Sequence, residues 1–486
     1  MKPAFKGKNN PLLPALLSSL LLVSVCPAEA FPESHQEYLS VPGLIDIRTT
    51  FSDGKHSIEE VVRLARSRGF KVLFFNDHNT VAVGYGVPPF RNILNYKKEF
   101  PSIMTGGADH YLAEVRRVGA KYPDMILIPG CITSPFYYWT GSWSRGDLTL
   151  HQYDRRILIL DFDEPEDYEL LPSIGNRLSF RYTRRLIPGL ALFCIPLCIG
   201  LLLLRWKGRL RVGGVVLVIV SGLAIIDYNP FRSSLYSPYG GEQGIGPFQE
   251  VIDFANRRGG LAFWNYPEQR SGTRKHGPIF VDTPPYPEVL HQSVAYTGFA
   301  AIYGDNITAT DPGKEWDRGL NEYCRGQRGS PPWGISTADF HEDGRLGLRL
   351  GAFPTTFLIK NFTKEALLEA VRKGRMYCSR GDGAVWPKLD DFQATGSDGR
   401  SAVMGETLTT REPPLIQFTV SFQGRKNSVV KMFLIRGGTL LRSFEGETPF
   451  TVRLTDSELA PGELTYYRLM DSKKHLTSNP IFVRYQ

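Results

Sequence analysis

The turn Ser52-Asp53-Gly54, followed one helix later by Asn76-Asp77-His78, sets carboxylates and an imidazole at the ends of apolar runs. A third group, Ala338-Asp339-Phe340-His341, adds a late Asp-x-His. Imidazoles and carboxylates in such a mixture can hold Zn²⁺, Mn²⁺ or Fe²⁺, or move protons. Just upstream, Leu44-Ile45-Asp46-Ile47-Arg48 ends an apolar run in charge. A guanidinium has no lone pair for a metal, so Arg48 either clamps an anion or pairs with Asp46, Asp77 or Asp339. The chain contains no P-loop, Gly-x-Ser-x-Gly elbow or His-Glu-x-x-His, which removes the chemistries those motifs support.

The elements that must position these residues follow a repeated scheme of amphipathic helix, Gly turn and short apolar strand ending in a polar residue. Ser57 with Glu60 predicts a capped helix, Gly69 ends it, and a strand follows over residues 72–75. Residues 112–118 with 125–130, 251–258 with 261–264, and 364–373 with 376–378 repeat the scheme. Near-continuous apolar strands alternating with helices predict a parallel sheet covered on both faces, of βα-barrel type, with chemistry at the strand ends. From residue 413 the texture changes to short alternating strands, which predicts a β-sandwich.

The quoted motifs resemble the polymerase and histidinol phosphatase (PHP) family of metal-dependent phosphoesterases. The resemblance covers residues 41–410 and implies a distorted TIM-like (βα) barrel. It also implies a strand-end cage of histidines and carboxylates holding up to three divalent metals, which activate water and clamp a phosphate. Asp53 matches the acid of the Ser-Asp-Gly turn, Asp77 and His78 the Asp-His motif, and Asp339 and His341 the late Asp-x-His; Gly374-Arg375 matches the closing segment. The family's His-x-His falls on Asp46 and Arg48, its bridging glutamate on Ile132, and its His-Pro on Tyr266-Pro267. The resemblance then leaves one metal position, with Asp53, His78 and His341 as ligands and Asp339 and Arg48 as catalytic groups. Equally, it leaves a closed cage with no metal at all.

Composition places this site in a membrane setting. Lys2, Lys6 and Lys8, an apolar stretch over 12–25 and Ala28-Glu29-Ala30 read as a signal peptide over 1–30. Residues 187–204 and 212–226 are apolar at spanning length, and the link between them carries Arg205, Lys207, Arg209 and Arg211. This predicts a transmembrane helical hairpin over 187–226 with a cytoplasmic tip. It would separate a first barrel part (41–180) from a second (227–410), with the β-sandwich over 411–486. Two crossings return the chain to one side, so both parts and the sandwich are expected on the extracytoplasmic, periplasmic side. The net charge of +8 is spread along the chain without a long basic run, which argues against nucleic acid as a partner. Cys131, Cys324 and Cys378 allow one disulfide without choosing it. An aromatic segment over 136–143 offers stacking surface for sugars or an anchor at a membrane interface.

Two functions are expected. The first is an exported, membrane-tethered phosphoesterase with a mononuclear site. The second is a non-catalytic barrel of the envelope that binds a phosphorylated or anionic small molecule or glycan, or serves as a scaffold.

Overall fold

Apolar runs bounded by caps and glycines become buried strands and their covering helices. In the computed structural model, Ser57 and Glu60 close a capping box on the helix Ile58–Ser67, which buries Ile58, Val61, Val62 and Ala65. The strand Val72–Phe75 that follows is buried at every position. Thr363 caps Lys364–Lys373, and Gly374, left-handed at φ 71°, ends it. The structure describes residues 38–486 except 270, 271, 306, 346, 347, 426 and 463; the signal-peptide reading of 1–30 lies outside them.

The architecture is mixed α/β. Leu39–Ile47 pairs in parallel with Val72–Phe75, which pairs in parallel with Ile126–Ile128; on its other edge it meets Pro354–Ile359 antiparallel. A five-stranded sheet runs in the order Trp333–Ser336, Gly298–Ile302, Leu261–Asn265, Arg156–Leu160, Gly130–Thr133. Single bridges, Ile47 to Phe340 and His78 to Ile132, join the two sheets at the strand ends. The sequence predicts one parallel barrel. The structure instead has two mixed sheets, because Arg156–Leu160 and Pro354–Ile359 each run against both neighbours.

The aromatic segment is mostly packed. Tyr138–Thr140 joins a four-stranded sheet with Thr149–His151, Ile279–Thr283 and Gly272–His276, and Tyr137, Trp139, Leu148 and Leu150 form its small core. Burial of these rings removes most of the expected stacking surface.

Helices Thr183–Leu203 and Arg209–Tyr228 are long and apolar enough to cross a membrane, and only 6% and 11% of their apolar windows are buried. Core helices would be covered, so burial in a soluble interior does not account for them. They meet through small residues: a Cβ on Gly214 would stand 2.8 Å from the Gly200 carbonyl oxygen, the close approach that glycine permits between apolar helices.

At the C-terminal end, Trp386–Thr395, Leu415–Gln423, Phe450–Thr455 and Ser401–Val403 form one sheet. A second core that includes Phe392, Phe418, Leu434 and Leu469 lies between it and strands of the large sheet. Trp386–Thr395, ahead of residue 411, pairs along its length with Leu415–Gln423. Cys131, Cys324 and Cys378 are free thiols.

Candidate functional site

The end of strand Leu39–Ile47 carries the first site residues, and the Ser-Asp-Gly turn folds back onto it. The amide of Gly54 donates to the Thr49 carbonyl at 3.0 Å. A Cβ at Gly54 would lie 2.5 Å from the Arg48 carbonyl oxygen, so only glycine lets the turn approach this closely. Asp77 anchors the turn from below: it accepts from the Thr49 amide at 2.7 Å, the Thr49 hydroxyl at 2.8 Å and the Ser52 hydroxyl at 2.6 Å. Burial pushes the Asp77 carboxyl up despite these donors.

Asp53, His78 and His341, far apart in sequence, converge at the mouth. His341 Nε2 lies 3.0 Å and His78 Nε2 3.8 Å from Asp53 Oδ2. His341 Nδ1 sits 2.6 Å from the Asp339 carbonyl oxygen. Burial tends to lower the His341 pKa, but the Asp53 hydrogen bond and the Asp339 charge raise it overall. With a carbonyl facing Nδ1 and a carboxylate facing Nε2, the surroundings of His341 favour its protonated form. Burial, reinforced by the Arg48 charge, holds His78 well below the ordinary histidine range and therefore neutral.

Arg48 occupies the centre. It is 0% exposed. Its Nη1 pairs with Asp46 and donates to the Asn76 carbonyl at 2.9 Å; its Nη2 reaches Asp339 at 3.1 Å; its Nε stands 4.0 Å from Asp53. Asp46 also accepts from Tyr266 Oη and, at 2.9 Å, from Asn265 Nδ2. Burial would lower the Arg48 pKa, but the Asp46 and Asp339 charges raise it above its ordinary value. Asp46, Tyr266 and Asp339 all have left-handed backbones, at φ 70°, 49° and 45°. That conformation is uncommon for any non-glycine residue and costly for tyrosine. Three strand ends thus adopt it where their side chains meet around Arg48.

The metal chemistry implied by the motifs does not fit this arrangement. Among the described residues, no group of three or more His, Cys, Asp or Glu side chains could hold a metal ion. Ile132, at the bridging-glutamate position, is buried in the core. The centre is taken by a guanidinium that cannot ligate. Of the anion-clamping role expected for Arg48, the structure leaves no exposed edge.

Sequence reasoning missed two partners. Tyr266 was visible only as a lost histidine, yet its hydroxyl replaces a ligand interaction with a hydrogen bond to Asp46. Arg156, half-buried beside Asp154, adds positive charge near His78 and has no motif to announce it. His110 lies tilted against Phe51, ring centroids 5.3 Å apart; His151 stacks on Tyr138 and bonds Thr140 at 2.7 Å. Neither joins the mouth. Beside His341 and Asp339 lies a cavity of about 320 Å³, walled also by Tyr266, Tyr303, Arg345 and Arg349.

No family model matches the sequence, and no curated protein matches it. Among solved structures, the chain is similar to a two-domain Bacteroides vulgatus protein containing a predicted PHP-like metal-dependent phosphoesterase. The identity is 12%, over 89% of this chain and 91% of that one, with a TM-score of 0.35. It is also similar to an amidohydrolase from Chromobacterium violaceum, at 15% identity over 62% of this chain and 88% of that one, with a TM-score of 0.28.

Proposed function

We propose that this is a membrane-tethered PHP-type protein whose mouth binds an anionic ligand without turning it over. The observation that carries the reading is Arg48, wholly buried between Asp46 and Asp339 where the motif would place metal-binding histidines. An internal cation neutralises the carboxylates that a metal would otherwise serve. The ligand would occupy the adjacent cavity, where Arg345 and Arg349 suit a phosphate or carboxylate. Saturation-transfer NMR on the full chain should show binding of sugar phosphates or uronates in preference to neutral sugars. Arg345→Ala with Arg349→Ala should abolish that preference. Equal response to charged and neutral sugars would refute the assignment.

The tether reading rests on the two exposed apolar helices, a signal peptide over 1–30, barrel parts over 41–180 and 227–410, and a β-sandwich over 411–486. Asp53 and His341, from before and after the helices, are 3.0 Å apart, so both parts would share one side of the membrane. Behind a signal peptide that side is periplasmic.

One observation favours the alternative, a mononuclear phosphoesterase. A backbone carbonyl holds His341 Nδ1 and turns Nε2 toward Asp53, as ligating imidazoles are commonly oriented. In that reading Asp53, His78 and His341, which form no metal-holding group as they stand, would have to draw together to hold Zn²⁺, Mn²⁺ or Fe²⁺, and Asp339 would handle the proton. Arg48 would be left to steady Asp339.

A further inference from the structure

A β-hairpin, Val81–Gly86 paired with Asn95–Phe100, reaches the foot of the second apolar helix. Asp227, in the last turn of that helix, accepts the amide of Asn92 at 2.6 Å and of Ile93 at 3.3 Å, and its carbonyl accepts the Asn92 side chain at 2.6 Å. The hairpin tip is thereby fixed where the helix leaves its apolar stretch. That tip is itself apolar and uncovered, with Val87 and Leu94 each 53% exposed. Phe180 and Phe231, which flank the two helices in sequence, meet edge to face at 5.1 Å, and both are exposed. Exposed apolar groups gathered at helix ends are unfavourable in water and suited to a bilayer interface.

Next to the tip lies a cavity of about 460 Å³ whose wall includes Arg91, Lys97, Asp227, Tyr228, Arg232 and Tyr239. Arg91 lies 4.1 Å over the Tyr239 ring and Arg232 5.3 Å over the Tyr228 ring. Arg232 Nη2 donates to the Tyr228 carbonyl at 3.2 Å, while its Nε is buried without a hydrogen-bond partner. Among the described residues neither arginine forms an ion pair, whereas Lys97 is paired with Glu99. The one carboxylate in this wall, Asp227, is turned to the hairpin amides. Two uncompensated guanidinium groups therefore share a cavity at the level of the helix ends.

We propose that this cavity holds the headgroup phosphate of an anionic phospholipid, with the hairpin tip dipping into the same leaflet. The proposal rests on the tether reading, and alkaline carbonate extraction of membranes carrying the full chain separates the two. Release by carbonate overturns the tether and the lipid site together. If the chain is retained, it is placed in nanodiscs of mixed phosphatidylcholine and phosphatidylglycerol, and the lipids that stay bound are counted by native mass spectrometry. Wild type should retain phosphatidylglycerol over phosphatidylcholine. Arg91→Gln with Arg232→Gln, shown folded by its melting curve, should lose that selectivity roughly 30-fold, from two cationic contacts. Millimolar inorganic phosphate should not displace the lipid. No selectivity in wild type overturns the lipid site alone and needs no variant; displacement by phosphate assigns the cavity to the free anion and overturns it equally.

Discussion

Arg48→Met is expected to destabilise the protein by about 3–5 kcal/mol, the cost of leaving a buried carboxylate without its partner. Asp46 is fully buried. Burial by itself would raise its pKa, and the Arg48 charge with the Tyr266 and Asn265 hydrogen bonds brings it below the ordinary value. Without the guanidinium, those two neutral donors remain for a charge that water cannot reach. Asp46→Asn in the same background should recover much of the loss, since asparagine tolerates the left-handed backbone and carries no charge. Urea unfolding in detergent of the two single variants and the double variant would check this. If Arg48→Met proved as stable as wild type, the guanidinium would not be what holds the mouth together.

The second large effect is expected where helix Glu315–Cys324 meets the C-terminal strands. Arg468, fully buried, grips Asp317 with two parallel bonds, Nε to Oδ1 at 2.6 Å and Nη2 to Oδ2 at 2.7 Å. Nη2 also donates to the Thr310 carbonyl at 2.9 Å, and the Tyr466 hydroxyl donates to the same aspartate at 2.8 Å. The pair ties helix Glu315–Cys324 to strand Leu464–Asp471. Arg468→Met should again cost about 3–5 kcal/mol. Hydrogen exchange should show that strand losing protection first. Arg468→Lys keeps the charge but loses the two-pronged geometry, so it should restore only part of the stability. Full rescue by lysine would mean that charge alone holds the strand.

Legibility in the sequence followed how local each determinant is. Val72–Phe75 and Lys364–Lys373 fall where apolar runs, caps and glycines place them. Trp386–Thr395 escaped because Pro387 and the Asp390-Asp391 pair break its alternation, and a register shift between Leu389 and Asp391 absorbs the disturbance. The expectation of an all-parallel sheet failed on strand direction, which a string of apolar runs does not encode. At the site, the grouping of Asp53, His78 and His341 came from the family resemblance, and the three side chains do converge. Which of three aspartates Arg48 would choose was not legible: Asp77 is taken by Thr49 and Ser52, leaving Asp46 and Asp339.

The most direct test of a mouth closed by its own guanidinium is metal content. The purified full chain would be exposed to Zn²⁺, Mn²⁺ and Fe²⁺, passed through a desalting column and assayed by plasma mass spectrometry, alongside His78→Ala and His341→Ala. The expected result is no stoichiometric metal in any of the three proteins. About one equivalent in wild type, lost in both variants, would show that Asp53, His78 and His341 coordinate after all and would contradict the account.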